Sequence, residues 1–137
     1  MPFTRIAQPD DYPAIARFDE WRAATPQVIA AGRCAVAGRE EEIEAYAITS
    51  HWFGTKPFVE VLFVAPAARR CGLSSALFSM IESTCAGSGT RLWVTTGLQN
   101  VPMQQFLHAR GYELCGVIEK LAKIPELVYS RLADRMP

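Results

Sequence analysis

The chain of 137 residues has no surplus of either charge, no closely spaced cysteines and no long apolar run. Each lack removes a class of function. Fourteen basic and fourteen acidic residues cancel, so no overall field holds nucleic acid or an anionic membrane, and any anion site has to be local. Cys34, Cys71, Cys85 and Cys115 lie far apart without a CxxC pair, and His51 and His108 are the only histidines. This pattern does not have the ligand spacing of a structural zinc site and predicts reduced thiols and no metal. The longest apolar run, VLFVA from Val61 to Ala65, is far too short to span a bilayer, and MPFTRIAQPDD has no apolar signal-peptide core. A cytoplasmic location follows as the expectation. There is no repeat, low-complexity tract or Pro/Gly/Ser-rich linker, so a single domain is expected over residues 1–137.

Half of the residues are apolar and a fifth charged, which suits a chain of this length with a real core. Phe3 to Ala7 reads as a strand. Asp10 and Asp11 then suit the start of a helix carrying Ile15, Ala16, Phe18 and Trp21. Thr25 as cap, Pro26 in the first turn and Gly32 as terminator mark a second, short helix. Arg33 to Ala37 and Ile43 to Ser50 flank the polar turn GREEE and predict an antiparallel hairpin. FVEVLFV, Phe58 to Val64, is apolar in both alternating phases, as in a central strand covered on two faces.

Beyond Pro66, Leu73, Ala76, Leu77, Met80, Ile81 and Thr84 recur at the spacing of an amphipathic helix. Arg91 to Thr96 is a strand, Asn100 caps a helix that runs to Arg110, and Gly111 stops it. Tyr112 to Ile118 and Leu127 to Arg131 complete a mixed sheet with helices, in the α/β or α+β class. The two strand–helix–strand steps predict local parallel pairing.

The stretch RRCGLSSALF, Arg69 to Phe78, sits where a strand ends and a helix starts. Such a junction gathers free backbone amides around a small volume. Gly72 can take a positive φ, Ser74 and Ser75 add hydroxyl donors, and Arg69 and Arg70 supply charge, a combination that fits a pyrophosphate. On physics alone, an ordinary helix start beside surface arginines explains the same residues equally well.

The longer string FVEVLFVAPAARRCGLSSALF resembles the acetyl-coenzyme A motif of the GNAT N-acetyltransferases, with Val64 and Pro66 in VxP and Arg69, Gly72 and Ser74 in RxxGx(G/A). NVPMQQFLHARGY resembles the same family's Asn-to-GlyPhe segment, with Asn100, Phe106, Gly111 and Tyr112 in register. The resemblance implies a GNAT-like twisted, mixed and mostly antiparallel sheet of six to seven strands with about four helices. Its central parallel strands splay around acetyl-CoA. Phe63, Val64, Arg69, Arg70, Cys71, Gly72, Leu73, Ser74, Ser75, Asn100 and Phe106 would then contact the cosubstrate, and the acceptor would be a small-molecule or peptide amine. Two positions depart from the pattern. Ser74 stands where Gly or Ala is usual, and Leu107 where many members carry a tyrosine that protonates the leaving thiolate. Tyr129, His108 and Cys71 are the substitute acids open to consideration.

Amine attack on a thioester needs a proton acceptor and an oxyanion donor. A backbone amide near Phe63 or Val64 is the donor candidate. Glu60, the only charged residue in an otherwise apolar strand, is the base candidate on the expectation that it is buried, with a structural pairing to an arginine as the alternative. Family members often carry a functional Glu at this strand position, which the resemblance extends to Glu60. Asn100 reads equally as helix cap and coenzyme contact. Glu40, Glu41, Glu42 and Glu44 form either a solvated hairpin tip or a cationic-amine attractor. His51, Trp52 and Phe53 either line the acceptor pocket or pack on loops or a second subunit of a homodimer. Against the enzyme stands a coenzyme-binding sensor module without catalysis, which Leu107 and the shortness of the helices between the first two strands suggest and the presence of Glu60 opposes.

Overall fold

The computed structural model describes residues 2–132. Its elements are β1 (Phe3–Ile6), α1 (Tyr12–Ala16), α2 (Pro26–Ala30), β2 (Cys34–Arg39), β3 (Glu42–Trp52), β4 (Lys56–Val64), α3 (Leu73–Cys85), β5 (Arg91–Gly97), α4 (Val101–Ala109), β6 (Glu113–Ile118) and β7 (Glu126–Leu132). Single 3-10 turns occupy Pro9–Asp11 and Pro66–Ala68. Among the described residues seven strands form one mixed sheet in the order β1-β2-β3-β4-β5-β7-β6, with four α-helices, in agreement with the sheet and helices that the resemblance implies. The chain divides into two compact units, Met1–Ser50 with Glu60–Thr84, and His51–Val59 with Cys85–Pro137.

In the first unit β1 pairs antiparallel with β2 from Phe3↔Gly38 to Ile6↔Ala35, and β2 pairs with β3 from Cys34↔Ile48 to Arg39↔Glu42. The hairpin is tighter than expected. Both strands extend into GREEE, leaving Glu40 and Glu41 as the turn, each left-handed with φ of 51° and 68°. That two-residue turn matches the strands' twist, which is why it replaces the longer loop. A bulge falls between Ala37 and Gly38, and a Cβ on Gly38 would lie 1.7 Å from the Glu42 carbonyl oxygen, so only glycine fits there. Arg39 closes the hairpin with a two-pronged ion pair to Glu44 at 2.9 Å.

The first helix is shorter than expected and ends at Ala16, with Phe18 and Trp21 outside it. The cause is Asp19, which is buried. Its carboxylate accepts the Ala24 amide at 3.0 Å and the Tyr46 hydroxyl at 2.6 Å, an alternative to the helical ladder that pulls the chain into a turn. Thr25 caps α2 as expected, accepting the Val28 amide at 3.2 Å. The core of this unit gathers Ala7, Ile15, Ala24, Ile29, Cys34, Val36, Tyr46, Ile48 and Phe63.

In the second unit β4 runs parallel to β5 through Phe58↔Trp93 and Val59↔Val94, so the first strand–helix–strand step pairs as expected. The second does not. β7 lies between β5 and β6, antiparallel to both, from Arg91↔Leu132 to Gly97↔Glu126 and from Glu113↔Ser130 to Ile118↔Glu126. A hydrophobic β7, with Leu127, Val128, Tyr129 and Ser130 all buried, takes the inner place, and β6 with exposed Leu114 and Val117 becomes the edge. Arg91 ties the three strands together, donating to the Ser130 hydroxyl at 2.7 Å and pairing with Glu113.

Burial, with the nearby Asp19 and Asp11 carboxylates, pushes the Cys34 thiol up to about 12. Burial and the Asp19 hydrogen bond also push the Tyr46 phenol above its usual range. Both groups hold their protons more tightly folded than unfolded. Their contribution to stability is therefore complete below the ordinary values of 9.0 and 10.0 and is lost as pH rises past them. Thermal unfolding followed from neutral to alkaline pH should show a midpoint falling above roughly pH 9, less steeply in Tyr46→Phe. A native midpoint that stays flat into the tyrosine range would contradict the assignment.

Candidate functional site

In the first unit, β4 ends at Val64 and α3 starts at Leu73, with the Pro66–Ala68 turn and five further residues, Ala65 and Arg69 to Gly72, between them. The connection turns through left-handed backbone at Arg70, φ 64°, and Gly72, φ 79°. Glycine adopts this conformation freely, whereas arginine pays about 1–2 kcal/mol for it, so the loop holds local strain where its charge is displayed. A Cβ on Gly72 would meet no protein atom within 4 Å. Conformation, and not packing against the protein, is what favours glycine there.

The first helical hydrogen bond of α3 runs from the Ala76 amide to the Gly72 carbonyl at 3.0 Å. The amides of Leu73, Ser74 and Ser75 precede it and point along the positive end of a helix 13 residues long. Leu73 is buried and anchors the turn, while Ser75, Arg69, Arg70 and Gly72 are exposed and Ser74 and Cys71 are half-buried. Arg69 is aimed by two contacts. Its Nε donates to the Val64 carbonyl at 3.2 Å, and its guanidinium carbon lies 5.9 Å from the centre of the Phe63 ring. The Cys71 thiol lies 3.7 Å from the Arg69 carbonyl oxygen. Arginine charge, free amides and two serine hydroxyls thus converge on one turn, an arrangement that binds phosphate oxygens.

Glu60 belongs to the same unit, but the burial expected for it is not found. Its side chain is 42 % exposed and its Oε2 accepts from Arg33 Nη2 at 2.8 Å. Arg33 is itself fixed, its Nε donating to the Thr49 carbonyl at 2.9 Å. The carboxylate is exposed although Phe58, two residues earlier on the same phase of β4, is buried, while Val59 and Phe63 are buried on the opposite phase. Arg33 had no signature in the sequence, because its partnership depends on how distant strands are aligned. Of the hairpin acids, Glu44 is committed to Arg39, whose hydrogen bond holds it below the usual carboxylate range.

The remaining candidates lie in the second unit. Asn100 caps α4, its Oδ1 accepting the Met103 amide at 3.2 Å, which bears out the cap reading. Phe106 is half-buried on α4, with the Arg110 guanidinium 5.8 Å from its ring centre. Leu107 is fully buried, so the residue at the tyrosine position is a core side chain. Among the substitute acids, Tyr129 is buried in β7, His108 is exposed on α4, and Cys71 lies in the loop of the first unit. Trp52 stacks on Phe58 with ring centres 4.3 Å apart and lies 5.9 Å from Trp93, whereas Phe53 is exposed in the turn after β3. Among the described residues no three His, Cys, Asp or Glu side chains are grouped to hold a metal ion, and no helix is long and apolar enough to cross a membrane.

The family model described as "Acetyltransferase (GNAT) family" matches residues 2–112. No curated protein sequence matches the chain. Its fold is similar to a GNAT-family acetyltransferase from Bacillus cereus ATCC 10987, at TM-score 0.82 and 24 % identity over 96 % of this chain and 97 % of that one. It is also similar to the ribosomal-protein-S18-alanine N-acetyltransferase of Escherichia coli, at TM-score 0.79 and 16 % identity over 97 % and 94 % of the two chains. The yncA structure from Salmonella typhimurium, with its cofactor acetyl-CoA, matches at TM-score 0.76 and 18 % identity over 98 % and 95 %.

The burial of Leu107 has a direct consequence. Leu107→Tyr forces a larger, polar-tipped ring into a filled core and should lower stability by about 1–3 kcal/mol. Urea denaturation measures it. A variant as stable as the native chain would show that this position opens onto free space.

Proposed function

The chain belongs to the GNAT acetyltransferase family, and from that premise we propose that it moves an acetyl group from acetyl-CoA to a primary amine by direct attack. GNAT proteins use acetyl-CoA as cosubstrate, and the carrying observation is the turn from Val64 to Ser75. In this reading the amides of Leu73, Ser74 and Ser75 and the side chains of Arg69 and Arg70 take the pyrophosphate, and Gly72 lets it approach the backbone. The Phe63 and Val64 backbone, Cys71, Asn100 and Phe106 complete the list of contacts. The whole of residues 1–137 is read as one acetyltransferase domain working in the cytoplasm.

In the reaction the amine nitrogen bonds to the thioester carbon, the carbon–sulfur bond breaks, and the proton shed by the amine leaves through a base. Glu60 is our candidate for that base, directly or through a water molecule. Its exposure supports the role in a different way from the burial expected of it. A solvated ion pair is worth about 0–1 kcal/mol, so the Arg33 contact opens readily to an incoming amine or water. With Leu107 in the core, no tyrosine serves as acid from that position. The thiol of coenzyme A titrates near an ordinary alkyl thiol, at roughly 8.5, so its thiolate can leave near neutral pH with water as the proton source. A packing role accounts for the leucine, which supports the enzymatic reading over that of a non-catalytic coenzyme sensor.

The test is thiol release from acetyl-CoA across a panel of amines, with Glu60→Gln compared over pH. The variant should lose about 10²- to 10⁴-fold in rate near neutral pH and recover partly in alkali, where the amine is already deprotonated, while coenzyme affinity is kept. Unchanged kinetics at every pH would remove Glu60 as the base. Failure to acetylate any amine would remove the enzymatic reading.

A further inference from the structure

The hairpin of β2 and β3 carries an arginine that neither the pyrophosphate contacts nor the base accounts for. A bulge between Ala37 and Gly38 bends β2 immediately before Arg39, at a glycine that no larger residue can replace. Bulges of this kind re-aim a neighbouring side chain. Arg39 is 42 % exposed and holds the Glu44 carboxylate through Nε and Nη2, each at 2.9 Å. A guanidinium has five N–H donors in a planar fork, and among the described residues no other group takes those of Nη1. The pair leaves Arg39 with donors for a second anion.

Two observations put this guanidinium beside the cradle, and all the residues concerned belong to the first unit. The Glu44 carbonyl accepts the Ala65 amide at 2.8 Å, and Ala65 is the first residue of the connection from β4 to α3. The hairpin is thus stitched to the start of the cradle. The Glu44 hydrogen bond, and after it the nearby Cys71 sulfur, hold the Arg39 proton more tightly than usual, so the residue directly before Gly72 lies within the field of this charge. Glu40, Glu41 and Glu42 are exposed, where solvent and salt screen them, while Arg39 can meet an anion in direct contact.

The amides of Leu73 to Ser75 with Arg69 and Arg70 already suit a pyrophosphate. Coenzyme A carries one phosphate more, a monoester on its ribose with up to about two negative charges near neutral pH. We propose that Arg39, aimed by the bulge at Gly38, takes this ribose phosphate and makes the protein select coenzyme A over its dephosphorylated form. The proposal rests on the acetyl-CoA reading above and extends it to a hairpin outside the stretch from Phe58 to Phe78.

Calorimetry with coenzyme A and dephospho-coenzyme A, which differ only in that phosphate, is the test. Native protein should bind coenzyme A about tenfold more tightly. Arg39→Gln should lose about tenfold in affinity for coenzyme A and stay within about twofold for the dephosphorylated form, and Arg39→Lys should keep part of the preference. Because Arg39 also braces the hairpin, Glu44→Gln is the control. It breaks the same brace but keeps the arginine, so the preference for coenzyme A should remain. Native protein that binds both forms equally well overturns the proposal and leaves the cradle standing, whereas binding of neither form sinks both. An equal fall for the two forms in Arg39→Gln, or a preference lost in Glu44→Gln as well, assigns the arginine to bracing alone and also overturns the proposal.

Discussion

The structure depends on how one strand gives way to one helix. β4 is in the middle of the sheet order and α3 follows it, so the chain must reverse direction within the residues between Val64 and Leu73. It does so through left-handed backbone at Arg70 and Gly72. The reversal leaves the first amides of α3 without helical acceptors, and it does this beside two arginines. A turn made for topology thereby becomes a place where negative charge is stabilised. Buried Leu73, together with the Arg69 contacts to Val64 and Phe63, keeps the turn rigid, so the donors are oriented before any ligand arrives.

Charge follows a second constraint, because the chain carries no net surplus and spends many of its ions on one another. Arg5 with Asp11, Arg39 with Glu44 and Arg91 with Glu113 brace strands and turns. Arg33 with Glu60 is chemically the same kind of pair, yet it lies on the strand that leads into the cradle. Its partners are 38 % and 42 % exposed, which makes it a loose contact that an incoming group can replace. Asp19 shows the opposite design. Buried and fully engaged by Tyr46 and Ala24, it works through geometry, deciding where α1 stops and where Trp21 stands.

What the sequence made legible follows the range of the forces involved. The α2 cap at Thr25, the α4 cap at Asn100 and the α3 face repeating from Leu73 depend on neighbours within a turn or two, and all were readable. The cradle was readable because its parts are consecutive. Glu60 was identified as the odd charge in an apolar strand, but its exposure was not, since alternation places a side chain on a face without saying what covers that face. Three features needed partners from far along the chain: the pairing of Arg33 with Glu60, the Asp19–Tyr46 bond that cuts α1 short, and the insertion of β7 between β5 and β6. The Leu107 position was legible as a departure from a family pattern, and only its burial showed it to be part of the core.

The central claim is that the Val64–Ser75 turn binds the pyrophosphate of acetyl-CoA, and calorimetry on coenzyme A tests it most directly. Gly72→Asp and Gly72→Asn place side chains of the same shape on a left-handed residue that both types tolerate, so they differ only in charge at the cradle. The account predicts that Gly72→Asp weakens coenzyme A by at least about tenfold more than Gly72→Asn, while pantetheine, which lacks the phosphates and the nucleotide, binds both alike. Equal affinity of the two variants for coenzyme A would contradict it.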